Sequence, residues 1–129
     1  MISEIAVIFY GYRLTGNNWR PAALDRDPQG FVAEIAKQYS KYGITISCRE
    51  EPEHILEVKG YADLLNTVRL RTNDGTLGNP CLGHVIGQSQ SCNLLEDLHR
   101  GISRVAFAPE TIEPDGSGKR VCHNCGCGC

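Results

Sequence analysis

The chain of 129 residues contains no apolar run approaching the ~20 residues that a membrane-spanning helix needs, which excludes a helical membrane span. It also lacks an excess of either charge. Thirteen Lys and Arg stand against fifteen Asp and Glu, for a net charge of −2, so the sequence carries no basic footprint for nucleic acid. The opening Met1-Ile2-Ser3-Glu4 has neither the basic nor the apolar region of a secretion signal, and a cytoplasmic location is the expectation. There is no phosphate-binding loop, no histidine-backed nucleophile and no paired-carboxylate motif, which weighs against a self-contained enzyme. Cysteine, by contrast, is abundant. There are seven, and four of them fall in the last eight residues. Seven thiols cannot all pair within one chain, and a reducing cytosol keeps thiols reduced. Clustered cysteine in that setting points to metal or redox chemistry.

Hydrophobic periodicity divides the chain into elements. Ile5 to Tyr10 is a short continuous apolar run, the pattern of a buried strand. Gly11 to Arg26 reads as a loop, with Trp19 either a contact residue or a lid over the core. Asp27 and Pro28 open a helix as N-cap and first residue; Phe31, Ile35, Tyr39 and Tyr42 form its stripe, and Gly43 stops it. Ile44–Cys48 and Ile55–Lys59 alternate like strands, separated by the charged turn Arg49–Glu53, and are expected to pair as a hairpin. Tyr61 to Leu70 reads as a short helix passing into an extended end before the Asn73-Asp74-Gly75 turn. Thr76–Gln90 reads as loop. A helix capped by Ser89 or Ser91 then runs through Cys92, Leu94, Leu95 and Leu98 to a stop at Gly101, and Ile102–Ala108 reads as a last strand. This order implies an α+β domain over residues 1–109, a mainly antiparallel sheet with helices on one face, close to the ferredoxin-like arrangement. Residues 110–121 read as a flexible tether and 122–129 as a cysteine-rich tail.

The tail carries the chemistry. Cys122, Cys125, Cys127 and Cys129 make a C-x-x-C-x-C-x-C array of soft thiolate donors, suited to zinc, copper(I) or an iron–sulfur cluster. A tetrahedral site with metal–sulfur bonds of ~2.3 Å brings four sulfurs within roughly 4 Å of one another. A chain must double back sharply to achieve that within eight residues, and Gly126 and Gly128 supply the hinges. A divalent metal also relieves the mutual repulsion of four thiolates beside a terminal carboxylate, and Lys119 and Arg120 act in the same direction. The C-x-C pairs resemble the metallothionein pattern, which implies closed-shell zinc or copper(I). Val121-Cys122-His123-Asn124-Cys125-Gly126-Cys127 resembles the V-C-x-x-C-x-C claw of nitrile hydratases, which implies low-spin iron or cobalt. Gly126 stands where that claw usually has serine, and the likeness is one of ligand geometry over seven residues.

Cys81 and His84, spaced C-x-x-H, are candidate long-range ligands; as a flexible coil, Glu113 to Arg120 spans roughly 16 Å and lets the tail fold back to them. The plainer expectation for that pair is a buried thiol beside a surface histidine. Cys48 and Cys92 are expected as core thiols. His54 falls in a charged turn and His99 in a last helical turn, neither requiring a catalytic role. The leading expectation is a metal- or cluster-binding accessory protein whose body docks on a client protein, with no nucleic-acid or membrane partner. The alternatives are a sulfur-relay or thiol redox protein attacking through Cys129 and resolving through Cys127 or Cys125, and a non-metallated interaction domain.

Overall fold

The computed structural model describes residues 3–15, 19–21, 27–75, 77–87, 89 and 93–112. The element order is β1 (Glu4–Leu14), α1 (Pro28–Tyr39) with a 3₁₀ turn at Ser40–Tyr42, β2 (Thr45–Val58), α2 (Tyr61–Asn66), β3 (Val68–Thr72), α3 (Leu82–Ile86), α4 (Leu94–Phe107) and a 3₁₀ turn at Pro109–Thr111. The fold is α+β. Its sheet has three strands in the order β2-β1-β3, with β1 parallel to β2 and antiparallel to β3.

Helix α1 follows its local signals. The Asp27 side chain accepts the Gly30 N–H at 2.7 Å, Pro28 occupies the first turn, and Gly43 closes the end at φ 76°. Tyr61–Asn66 is helical and passes at Thr67 into β3, as the mixed periodicity of that stretch predicts.

Three expectations are corrected. Ile44–Cys48 and Ile55–Lys59 do not pair as a hairpin. They are the two halves of one strand, 14 residues long, that runs parallel to β1. The register jumps from Tyr10↔Glu51 to Gly11↔Ile55, so Pro52, Glu53 and His54 oppose no residue of β1. The charged, proline-bearing stretch that resembles a turn is a bulge. A bulge needs the same residues, because its backbone leaves the ladder and proline has no N–H to offer. Since α1 lies between β1 and β2 in sequence, the two form a parallel crossover unit. The sheet is therefore mixed rather than mainly antiparallel, and its three strands among the described residues do not reproduce the ferredoxin-like pattern. Finally, Ile102–Ala108 is not a strand. Leu94, Asp97, Leu98, Gly101, Ile102 and Val105 recur at helical spacing as the buried face of α4, which is capped by the Asn93 side chain on the Glu96 N–H at 3.0 Å. Gly101 lies inside this helix rather than at its end.

Alternation along the strands assigns their two faces. Ile5, Val7, Ile46, Val68 and Leu70 join the apolar stripes of α1 and α4 in one core, with Cys48 and Trp19 packed at its margin. Ala6, Ile8 and Tyr10, with Ser47, Arg49 and Glu51 of β2 and Arg69 and Arg71 of β3, occupy the other face by register. The body continues through the last 3₁₀ turn. Ile112 is buried, and Arg104 grips Thr111 through Oγ1 and the carbonyl, both at 2.9 Å, while a further nitrogen reaches the Val85 carbonyl at 2.7 Å.

Candidate functional site

The residues singled out from the sequence fall in different places. Cys122, Cys125, Cys127 and Cys129 lie outside the described residues, as does Cys92. Cys81 is fully buried at the start of α3, where its Sγ accepts the His84 N–H at 3.4 Å. The thiol thus serves as a helix cap, with an antiparallel bridge from Cys81 to Arg69 fixing its backbone against β3. His84 is partly exposed. Trp19 lies against the core, the lid position. His99 is exposed in the middle of α4 because the helix runs on past Gly101.

Cys48 sits on the core side of β2, partly buried. Burial pushes its thiol pKa up, and the nearby carboxylates of Glu50 and Asp27 push it further in the same direction. Because the thiolate is the reacting species, Cys48 should be alkylated by iodoacetamide at pH 8 at least several-fold more slowly than a small model thiol. Glu50→Gln should raise that rate. Peptide mass mapping over time checks both, with Cys81 unlabelled until the chain unfolds.

The polar sheet face holds a connected cluster. Arg71 makes a two-pronged pair with Glu51, at 2.9 Å to Oε2 and 3.0 Å to Oε1, and its Nε donates to the Asn79 Oδ1 at 2.7 Å. The Asn79 amide donates in turn to the Tyr10 hydroxyl at 2.9 Å. Arg69 donates to the Asn79 carbonyl at 3.0 Å and the Asn66 Oδ1 at 2.7 Å, and its guanidinium lies 5.2 Å from the Tyr10 ring centre. The His54 ring, carried by the bulge, lies 4.8 Å from the same ring. Val68-Arg69-Leu70-Arg71 carries a sequence signal for this cluster, since alternation places both arginines on one strand face. The bulge that brings Glu51 and His54 to them has none.

Hydrogen bonding to Arg71 holds the Glu51 carboxyl below the usual carboxylate range, with Arg49 and His54 adding to the effect. A carboxyl lowered in this way contributes stability above its unfolded value, ~4.3, and loses it as pH falls through the lower folded value. Arg71→Met should move the Glu51 titration upward toward its unfolded value and so remove this group's share of the acid-dependent loss of stability. Carboxyl NMR titration of the two proteins checks this.

Among the described residues, Glu51, Glu53 and His54 bring two carboxylates and an imidazole within 4.8 Å of one another. A dication there meets the Arg71 charge on Glu51 and a second guanidinium, Arg49, at 3.4 Å from Oε2. That arrangement opposes metal binding.

A larger hollow lies elsewhere, between the second half of β1, the first turn of α1 and the approach to the β2 bulge. It is a cleft of about 690 Å³ with Tyr12, Asp27, Gln29 and Glu50 on its walls. A second hollow of about 230 Å³, lined by Tyr61, Leu64, Val68 and Leu94, shares with it the wall of Phe9, Tyr10, Tyr12 and Pro28. The bulge closes tightly over β1 here. A Cβ on Gly11 would stand 3.0 Å from the Pro52 carbonyl oxygen. No protein-family model, no curated protein and no solved structure matches this chain.

Proposed function

We propose that this chain is a metal- or iron–sulfur-binding accessory protein of the cytoplasm. The α+β body docks on a client protein and Cys122, Cys125, Cys127 and Cys129 hold the cargo. The observation that carries the proposal is the C-x-x-C-x-C-x-C array itself, four soft donors with glycine at the two positions between the last three cysteines. The four tail thiolates are the proposed ligand set. Recruiting Cys81 would remove the cap of α3 from a fully buried position.

Elemental analysis and absorption spectra of anaerobically purified full-length chain, compared with a variant carrying serine at all four tail cysteines, test the proposal. The full chain should hold about one metal equivalent or one cluster, and the serine variant none, with both unfolding at the same temperature. Iron with sulfide and visible bands identifies a cluster; zinc or copper with ultraviolet bands alone identifies a closed-shell site. Equal metal in both proteins overturns the proposal. So does a full chain that is purified empty and binds none of these metals below micromolar concentration.

A further inference from the structure

The geometry points to the paired cleft beside α1 as a binding site for a small organic cation with an apolar or aromatic body. This inference is independent of the tail. The two hollows have different chemistry. The smaller one is walled by Pro21, Tyr61, Leu64, Thr67, Val68 and Leu94, without a charged side chain among the described residues. Among the described residues, the larger one has two charged side chains on its walls, and both are carboxylates, Asp27 and Glu50. Each carboxylate is exposed and held in place by one described hydrogen bond. Asp27 takes the Gly30 N–H at 2.7 Å, and Glu50 takes the Gln29 amide. A carboxylate has about four acceptor positions, so both retain capacity for a ligand donor. Gln29, which holds Glu50, stands two residues after Asp27 in the first turn of α1, so the helix start brings both carboxylates to the same stretch of wall.

Between the carboxylates and the apolar hollow stands the common wall of Phe9, Tyr10, Tyr12 and Pro28. Tyr12 is 46% exposed, so its ring is presented to solvent rather than consumed in the core. Aromatic faces attract cations and also accept apolar groups. A ligand that places an ammonium or guanidinium near Asp27 and Glu50 and its body in the apolar hollow uses both halves. The combined site falls in the size range of small-molecule pockets, apolar with a few fixed polar groups. The start of α1 would otherwise favour an anion, but Asp27 occupies its cap and Glu50 faces its first turn, so an anion meets two like charges.

The test uses three probes with one ring and different charge: tyramine (cation), 4-hydroxyphenylethanol (neutral) and 4-hydroxyphenylacetate (anion). Each is titrated into the full-length chain at low salt and followed by amide NMR. Tyramine should shift Phe9, Tyr12 and Glu50 and bind at least about fivefold more tightly than the anion, from two partly screened charge pairs. Glu50→Gln should weaken tyramine about threefold and leave the neutral probe unchanged, and Asp27→Asn, which keeps an N-cap side chain, should act in the same direction. The variant with serine at the four tail cysteines should bind tyramine as the natural sequence does, so failure here and failure of the tail proposal are read separately. Equal affinity for the three probes, tighter binding of the anion, shifts confined to other surfaces, or no shift at millimolar tyramine each overturn the inference.

Discussion

Gly101→Val is expected to lower the unfolding free energy by about 3 kcal/mol or more. A Cβ on Gly101 would stand 2.4 Å from the Leu82 Cδ1 and 3.2 Å from the Leu70 Cδ1. Both leucines are fully buried, so neither can swing into solvent to make room. Valine adds two further carbons and a stiff χ1 in a helix. Gly101→Ala should cost less, because the helix gains about 1 kcal/mol in propensity against the same first contact. Urea unfolding of the single variants checks the order. Leu82→Ala should make Gly101→Val cheaper than it is alone, because it removes the clashing carbon, and the double variant should fall short of the sum of the singles. Additive losses would mean that α3 and α4 do not meet at this glycine.

That glycine also shows how far the sequence reveals the fold. Glycine after a run of leucines is a common helix stop, and Ile102 and Val105 are β-branched, so the stretch after it resembles a strand. Tertiary packing outweighs both signals. A residue without a side chain lets α4 pass close to α3 and β3, and the apolar period continues unbroken through it. Helix α1 is legible because its cap, its proline and its closing glycine are local. Strand β2 is legible as two extended pieces but not as one, because its partner, β1, is 41 residues away in register before the bulge and 44 after it, and only that partner distinguishes a bulge from a turn. The same separation conceals the Arg71–Glu51–Asn79–Tyr10 cluster, whose members come from four separate stretches of chain. The cleft beside α1 is hidden for a further reason. Its carboxylates look like ordinary surface charge until the crossover sets them beside Tyr12 and Phe9.

Asp97→Ala is expected to cost about 3 kcal/mol, although aspartate to alanine raises helix propensity. Asp97 is the described body's fully buried charged residue, on the inner face of α4. Its Oδ2 accepts from the Tyr61 hydroxyl and from the Ser89 Oγ at 2.6 Å, while its Oδ1 lies 3.3 Å from an Arg100 nitrogen. One carboxylate therefore ties α2, the segment before α4, and α4 itself, and its place in the first turn suits the helix dipole. Removing it leaves two hydroxyls without their common acceptor and opens a space on the buried face of α4, and each such loss costs about 1–3 kcal/mol. Tyr61→Phe should cost about 1 kcal/mol in the natural sequence and close to nothing once Asp97 is alanine. Denaturant unfolding of the four proteins measures that coupling, which should be at least about 1 kcal/mol if the hydroxyl and the carboxylate act as one unit. Tyr61 also lines the apolar hollow of the cleft, so Asp97→Ala should loosen that wall and weaken tyramine binding without touching a ligand-facing charge. A variant that lost stability yet bound tyramine unchanged would separate the buried carboxylate from the cleft and confine its role to joining the helices.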